Sequence, residues 1–246
     1  MLDSLKGAAR RVFYRGSRRS CPACGESFRR FRPAGSPRRP NAACPGCGAK
    51  ERDRFAALLL RARDDLRGRA GTGGRAPLRV LHVAPESSVA SILRSWPEVE
   101  YLSADIRPGC AMVVLDVTRI DRPDDSFDGI WCSHVLEHVA DDRAALAEFR
   151  RVLVPGGWAV VGVPIAARRT VEDPSVTSPA ERKRRFGQRD HVRRYGPDVV
   201  ERLEAAGFGV ETVRPVGLVA TDEASRYGLP ADDQPLFLCR DGSGGR

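Results

Sequence analysis

Short apolar runs alternate with amphipathic stretches along the chain from Leu78 onward. Seven runs have the length and composition of strands: LRVLHV, VEYLSAD, MVVLDV, FDGIWCS, GGWAVVGVP, FGVETVRP and PLFLCR. Amphipathic spacing predicts helices over residues 87–94, 141–153 and 197–206, and a short helical piece directly after the fourth strand. Strand–helix alternation of this kind predicts an open, mostly parallel α/β sheet with helices on both faces.

The N-terminal part of the chain lacks this alternation. Residues 1–19 are predicted to be a basic arm with a short helix around residues 5–13, and residues 20–54 contain two cysteine pairs but few apolar runs. Residues 55–77 are predicted to form a helix followed by a Gly-rich linker. The larger α/β domain then covers residues 78–246.

Positive charge is concentrated in the same N-terminal part. The 246 residues carry a net charge of +9, while residues 1–54 alone contain fourteen Lys or Arg against four Asp or Glu. A clustered basic face attracts phosphates or carboxylates. No apolar run approaches the ~18 residues of a membrane-spanning helix. The N-terminus has no apolar signal segment, so we expect a cytoplasmic protein without a membrane partner.

The cysteine pairs CPAC (21–24) and CPGC (44–47) have the same design. In each pair, a turn containing Pro brings two thiolates together, and nineteen residues separate the pairs. This spacing is typical of two knuckles that close on one tetrahedral Zn²⁺. A redox role is the alternative, but a redox CxxC belongs at a strand–helix junction. Four sulfur ligands make the predicted site structural; they are Cys21, Cys24, Cys44 and Cys47.

Three longer motifs occur in order within the α/β part: DDSFDGIWCSHVLEHV (124–139), LAEFRRVLVPGGWAVVGVP (146–164) and RRYGPDVVERLEAAGFGV (193–210). They resemble the class I S-adenosylmethionine-dependent methyltransferases, in particular the methyltransferase-domain family of type 11. The resemblance covers about two thirds of the chain, from Leu78 to Arg240. It implies a Rossmann-like fold with a seven-stranded, mostly parallel sheet, S-adenosylmethionine as cofactor and methyl transfer as the reaction.

The resemblance also implies positions for cofactor contacts. In open α/β sheets the ligand lies beyond the carboxyl ends of the strands. Asp105, followed by Ile106, ends the second strand and is expected to accept the ribose hydroxyls. Asp116, followed by Val117, comes just after the third strand and is expected at the adenine amino group. Helix or turn capping is the alternative role for both aspartates.

The first loop departs from the family pattern. In VLHVAPESS (80–88), His82 stands where the family usually has an acid, and Ala84 and Glu86 stand where it has glycines. The chain is similar here to a subgroup of bacterial zinc-knuckle methyltransferase-like proteins that share an HVAPE-like loop. We expect all three residues at the cofactor, with Glu86 receiving its α-ammonium group. Capping of the next helix is the alternative for Glu86.

Candidate catalytic groups follow the fourth strand. Ser133 and His134 are expected where the methionine part of the cofactor meets the acceptor. His134 and His138 are four residues apart and would share one face of a helical piece. His134, the nearer to the strand end, is the predicted general base. Packing or capping is the expected role of His138.

The stretch between the fifth strand and the last helix, residues 165–194, is long and polar. We expect it to form a lid over the acceptor, and a solvated loop is the alternative. Its segment FGQRDHVRRYG contains His191, which is a second candidate base. The predicted acceptor contacts are Gln188, Arg189, His191, Arg193 and Tyr195.

Three functions stay open at this point. The first is methylation of an oxygen or nitrogen in a small molecule, such as a sugar, glycan or specialised metabolite. The second is methylation of RNA, because a zinc knuckle with basic arms ahead of this fold also resembles bacterial ribosomal-RNA guanine methyltransferases. The third is a non-catalytic binding protein whose methyltransferase-like domain has degenerated, which the changed first loop would explain.

The basic N-terminal part bears on the RNA hypothesis, since phosphate contacts dominate nucleic-acid affinity. Its aromatic residues either stack on bases or form the small core of the ribbon; they are Phe13, Tyr14, Phe28 and Phe31. In every case we expect the ribbon to position an acceptor or partner over the strand ends, because the whole positive excess lies in the arm and the ribbon, within residues 1–54.

Overall fold

The computed structural model of the chain describes residues 9–35, 38–67, 77–230 and 234–241. The described residues form two compact units. The first unit contains those within 1–65, 86–96 and 214–233, and the second contains those within 66–85, 97–213 and 234–246.

The strands are β1 (Arg15–Ser20), β2 (Ser27–Phe28), β3 (Arg32–Ala34), β4 (Arg39–Ala43), β5 (Leu78–Val83), β6 (Val99–Asp105), β7 (Val113–Val114), β8 (Phe127–Ser133), β9 (Leu153–Gly162), β10 (Val171–Glu172), β11 (Arg193–Arg194), β12 (Phe208–Val213) and β13 (Leu236–Asp241). The helices are α1 (residues 9–13), α2 (Glu51–Ala62), α3 (Ser87–Ser95), α4 (Asp142–Val152), α5 (Pro179–Phe186), α6 (Val199–Ala205), α7 (Pro215–Leu218) and α8 (Thr221–Arg226), with a 3-10 turn at Asp64–Leu66. Among the described residues, no helix has the length and apolar character needed to cross a membrane.

A seven-stranded sheet forms the centre of the second unit, in the order β12-β13-β9-β8-β5-β6-β7. Strand β13 runs antiparallel to both of its neighbours, and the other pairs of adjacent strands are parallel. The predicted mostly parallel, Rossmann-like sheet is therefore confirmed. Its carboxyl edge collects the ends of β5, β6 and β8, which places the loops after these strands side by side.

The core of this unit follows from the apolar runs. Central parallel strands are covered on both faces, so β8 and β9 are buried along most of their length. Asp141 is the N-cap of helix α4, and its side chain accepts a hydrogen bond from the Ala144 backbone N–H (2.9 Å). Gly129 leaves room for Trp158, because a Cβ atom at Gly129 would lie 2.4 Å from the indole ring.

Some predicted local structure is different. The piece after the fourth strand is a turn at residues 136–138 and not a helix. His138 N–H donates to the Val135 carbonyl (2.9 Å), which closes a tight turn in place of the helical bonding pattern. The stretch expected as a lid contains α5 and the small β10–β11 hairpin. Of the N-terminal helix, only residues 9–13 lie within the described part, and most of the Gly-rich linker lies outside it.

The first unit contains two small hairpins, β1–β2 and β3–β4. Their core consists of few side chains, which are Cys21, Phe28, Phe31, Cys44 and Ala49. Arg54 of α2 is fully buried beside this core and its guanidinium carbon lies 4.3 Å from the centre of the Phe31 ring. The Arg54 guanidinium donates to four backbone carbonyls, those of Ala42 (2.8 Å), Ala49 (2.8 Å), Tyr227 (2.7 Å) and Gly228 (2.9 Å). One buried cation therefore joins three segments of the unit.

Candidate functional site

A cavity of about 650 Å³ lies at the carboxyl edge of the sheet in the second unit. Its wall is built from residues that directly follow β5, β6, β7 and β8, together with the turn after β8 and Asp190. Most of the exposed surface of the wall is apolar, although half of its sixteen residues have polar or charged side chains. This composition and volume are typical of a site for a small organic ligand.

Two residues in this wall have strained backbones. Ala84 has φ 48° and His134 has φ 56°, which is the left-handed region that glycine adopts most easily. Backbone bonds hold both conformations, since Ala84 N–H donates to the Ala104 carbonyl (2.7 Å) and His134 N–H to the Gly162 carbonyl (2.8 Å). A non-glycine residue in this region costs about 1–2 kcal/mol. Strain of this kind concentrates at functional sites, and both residues line the cavity.

Asp105 ends β6 and is 6% exposed in the wall of the cavity. Its carboxylate accepts a hydrogen bond from the Arg107 backbone N–H (2.8 Å) and two from the Arg107 guanidinium (3.1 and 3.2 Å). The guanidinium bonds are the main reason that the pKa of Asp105 lies below its ordinary value. The adjacent Ile106 also lines the cavity and keeps 65% of its surface exposed.

Asp116 lines the cavity from the loop after β7. Its Oδ1 accepts hydrogen bonds from the Thr118 backbone N–H (2.9 Å) and hydroxyl (2.8 Å), so Asp116 caps this turn. Val117 follows it and places a buried apolar side chain in the same wall. Asp116 therefore caps this turn and also lines the cavity.

Three of the predicted cofactor residues lie elsewhere. His82 is fully buried in β5, with its Nδ1 3.0 Å from the Tyr101 hydroxyl, and does not line the cavity. Ser133, also buried, is outside the lining set as well. Glu86 belongs to the first unit, where it occupies the N-cap position of α3 without a side-chain capping hydrogen bond.

Three histidines and one glutamate lie in or beside the wall of the cavity. His134 and His138 both line it. Glu137, 1% exposed, places Oε1 3.2 Å from His134 Nδ1. His191 is 5% exposed, and its ring lies edge-on to that of His138 with 4.8 Å between the centroids. Burial lowers the pKa of His191, while the charge of Glu137 acts in the opposite direction.

Sequence reasoning assigned no role to Glu137. The available signal was an acid between two histidines in HVLEHV, directly after a strand end. The contact between His138 and His191 could not be found in the same way, because 53 positions separate them along the chain.

The predicted acceptor contacts divide into two groups. Gln188 and Arg189 are exposed. Arg193 and Tyr195 are buried at 3% and 0% exposure, and neither lines the cavity. Arg193 donates to the carbonyls of Leu136 (2.7 Å) and Ala140 (2.8 Å), so it supports the turn that contains His138. We therefore assign Arg193 to positioning this turn and not to direct contact with an acceptor.

A network of charged groups surrounds Arg193 and Tyr195. The Tyr195 hydroxyl donates to Asp142 (2.6 Å), and burial is the main reason that the pKa of Tyr195 is raised. Arg202 donates to both Asp142 oxygens (3.0 Å each) and to Glu172 (2.8 and 3.1 Å). Hydrogen bonds from Arg202 are the main cause that lowers the pKa of Glu172 to about 2. These partners are far apart in the chain, and the sequence pattern did not predict the network.

In the first unit, the four predicted metal ligands lie together, with all their Sγ atoms within 4.8 Å of one another. The Sγ–Sγ distance is 3.7 Å for Cys21 and Cys47 and 3.8 Å for Cys24 and Cys44. Four sulfurs about 2.3 Å from a tetrahedral Zn²⁺ are about 3.8 Å apart. The donor set and its spacing therefore fit one zinc ion.

Both cysteine turns have the same backbone geometry. Gly25 N–H donates to the Cys21 carbonyl (2.8 Å), and Gly48 N–H donates to the Cys44 carbonyl (2.9 Å). The two glycines have φ of 75° and 80°, a conformation that favours glycine at this position. Two matching turns that face one another with their thiols are what a four-sulfur zinc knuckle requires.

Residues 70–161 match the profile of a family described as a methyltransferase domain. The chain therefore contains a segment that is similar to a methyltransferase domain. The match ends at the end of β9 and includes both strained residues of the cavity. It does not extend to the cysteine turns, which precede it.

Among curated proteins, the chain is 34% identical over 165 residues to an uncharacterised 37.1 kDa protein in transposon TN4556 of Streptomyces fradiae, covering 64% of this chain and 45% of that protein. It is 32% identical over 116 residues to the 27-O-demethylrifamycin SV methyltransferase of Amycolatopsis mediterranei, covering 45% of this chain and 42% of that enzyme. The chain thus spans less than half the length of either relative.

Among solved structures, an S-adenosylmethionine-dependent methyltransferase from Archaeoglobus fulgidus superposes with a TM-score of 0.50 at 16% identity. The superposition covers 78% of this chain and 95% of that one. At this identity the likeness concerns the fold of the methyltransferase domain.

Proposed function

We propose that the protein is an S-adenosylmethionine-dependent methyltransferase that methylates an oxygen or nitrogen of a small molecule, such as a sugar, glycan or specialised metabolite. The observation that carries this proposal is the cavity at the carboxyl edge of the sheet, whose wall includes four aspartates and two histidines, among them Asp105, Asp116 and His134. The relative that methylates 27-O-demethylrifamycin SV supports the small-molecule class, because its name describes methylation of such a compound.

S-adenosylmethionine supplies an electrophilic methyl group for an in-line displacement when it is bound. Asp105 lines the cavity, and its carboxylate would accept hydrogen bonds from ribose hydroxyls in exchange for some of those from Arg107. Asp116 would accept from the adenine amino group, and Ile106 and Val117, which line the same cavity, would pack against the purine ring. Exclusion of water by these apolar groups favours the displacement.

His134 is the proposed general base. Its side chain is 25% exposed and lines the cavity, so an acceptor can reach it. Glu137 accepts a hydrogen bond from Nδ1–H of His134, which orients the ring and leaves Nε2 to take a proton from the acceptor.

The first test is binding of S-adenosylhomocysteine to the full chain, measured by isothermal titration calorimetry. We expect binding to wild type and at least about tenfold weaker binding to Asp105→Asn, which loses charge-assisted hydrogen bonds. Asp125→Asn is the matched control, because Asp125 lies outside the cavity and its positive φ (56°) is tolerated by asparagine. Absence of binding at millimolar concentration would contradict the proposal and favour the non-catalytic alternative.

A second candidate is methylation of RNA, which exposed arginines of the first unit favour. Arg15 and Arg18 on β1 are exposed, and so are Arg29 and Arg30 on the loop after β2. Phe28 and Phe31 are buried in the ribbon core, so only Phe13 and Tyr14 are left as candidates for stacking on bases. Strong binding to a mixed-sequence RNA at low salt that weakens steeply with added salt would favour this candidate.

A further inference from the structure

The carboxylate of Glu137 is only half satisfied in the interior of the second unit. Its Oε1 is 3.2 Å from His134 Nδ1. Its Oε2 is buried and has no hydrogen-bond partner among the described residues. A buried carboxylate oxygen without a partner is costly, because water no longer solvates it. Such an oxygen indicates a cation or donor that binds there.

Two imidazoles lie close to this oxygen. Glu137, His138 and His191 can each offer one ligand atom, and these three atoms are within 4.8 Å of one another. Ligands about 2.1 Å from a tetrahedral ion are about 3.4 Å apart, so side-chain rotations that move each atom by about 1 Å would close the site. The set contains nitrogen and oxygen only, whereas the cysteine site contains sulfur only.

The surroundings of His138 are those of a metal ligand. Its Nδ1 lies 3.4 Å from the backbone oxygen of Asp190 and 3.4 Å from the Asp190 carboxylate. A ligating histidine usually donates its second N–H to a carbonyl or carboxylate, which fixes the ring and leaves Nε2 for the metal. Glu137 similarly contacts His134 through one oxygen and leaves the other available.

We propose that Glu137, His138 and His191 bind a divalent cation of the manganese-to-zinc series at the edge of the cavity. Two histidines and one carboxylate are a ligand set that such cations accept, and three protein ligands leave coordination positions open. His138 lines the cavity, so the open positions are accessible to water or to an oxygen of a bound molecule. In the proposed methyltransferase, this molecule would be an acceptor with a hydroxyl or similar oxygen, and this last step depends on the proposed function.

The test is a titration of the full chain with Mn²⁺, after one equivalent of Zn²⁺ per chain has been added, which fills the four-sulfur site first because thiolates bind zinc most tightly. Thiolate ligands disfavour Mn²⁺, whereas nitrogen and oxygen ligands accept it. Free Mn²⁺ is measured by electron paramagnetic resonance. We expect one bound Mn²⁺ per chain in wild type and at least about tenfold weaker binding in Glu137→Gln and in His191→Gln.

Asp116→Asn is the matched control, since Asp116 lines the same cavity with a carboxylate but is not one of the three ligands. We expect this variant to keep its Mn²⁺ site. The thermal midpoint gives a second readout, because Mn²⁺ that binds the native state should raise it in wild type and in Asp116→Asn only. A folded baseline in each variant, from circular dichroism, separates loss of the site from loss of structure.

Several results would overturn the proposal. These are no Mn²⁺ binding by wild type at millimolar concentration, unchanged binding in the Glu137 and His191 variants, or loss of binding in Asp116→Asn. Titration with S-adenosylhomocysteine needs none of the three ligands, so failure of cofactor binding and failure of metal binding are measured separately.

Discussion

The two units of the protein are stabilised by different means. The hairpins of the first unit share a small apolar core, and they are held by a four-cysteine cluster and by the buried guanidinium of Arg54. The second unit has a continuous apolar core around a seven-stranded sheet. A segment that cannot bury enough apolar surface needs a metal or a polar network to fold, whereas a large sheet does not. Substitutions in each unit test this contrast.

The first unit extends beyond the ribbon, and this affects how the role of the ribbon can be tested. The first unit includes α3, which connects β5 to β6, and residues 214–230, which precede β13. Deletion of residues 1–56 would remove Arg54 and expose its carbonyl partners at Tyr227 and Gly228. Single substitutions therefore test the role of the ribbon more cleanly than truncation.

The largest expected effect is that of removing one zinc ligand. Cys44→Ser should remove the bound zinc and unfold the cysteine turns, because binding of a structural zinc is coupled to folding. Zinc content by mass spectrometry and limited proteolysis of the ribbon measure this outcome. Cys110→Ser is the control, since Cys110 is exposed and lies outside the cluster. Full zinc content in Cys44→Ser would contradict the assignment.

Arg54→Met should have the next largest effect. The substitution keeps an apolar stem but leaves four backbone carbonyls, two of them buried, without their donor, with an expected loss of about 3–5 kcal/mol in the free energy of unfolding. Arg52→Met is the control on the same helix, because the Arg52 side chain is 47% exposed; its expected change is below about 0.5 kcal/mol. Equal effects of the two variants, in chemical denaturation, would show that Arg54 does not hold the unit together.

In the second unit, protonation of Glu172 at low pH should lower the stability of the folded state. Its pKa is lowered from 4.5 to about 2 by Arg202, so the ionised form stabilises the folded state. This contribution is present above the unfolded pKa and is lost as the pH falls from about 4.5 towards 2. Glu172→Gln should reduce the slope of unfolding free energy against pH in this range. The same slope in wild type and variant would exclude the contribution.

The smallest expected effect concerns the strained residue Ala84. Glycine adopts its positive φ without steric cost, so Ala84→Gly should stabilise the protein by up to about 1 kcal/mol. Ala147→Gly, at an exposed position inside α4, is the same substitution in a helix and should destabilise by about 1 kcal/mol. Thermal unfolding of both variants measures whether each substitution raises or lowers the stability. Destabilisation by Ala84→Gly would show that the loop is not strained.

The fold was predicted in most respects from local pattern. The apolar runs marked the seven strands because a central strand must be apolar on the faces that it buries. Asp105, Asp116 and His134 were placed at the cavity because the carboxyl ends of parallel strands meet at one edge. The turn after β8 was mistaken for a helix, since four-residue spacing of histidines fits either structure over so short a segment.

The sequence by itself determined the order of the seven strands along the chain, the cluster of four cysteines and the strand ends that surround the cavity. These features depend on spacing along the chain, and spacing is visible without a structure. Only the tertiary structure shows that Arg54 is buried and bonded to distant segments of the chain. It also shows that Arg193 and Tyr195 support a turn, and that His191 lies close to Glu137 and His138. These contacts join residues far apart in sequence, and the burial of each depends on how the whole chain packs.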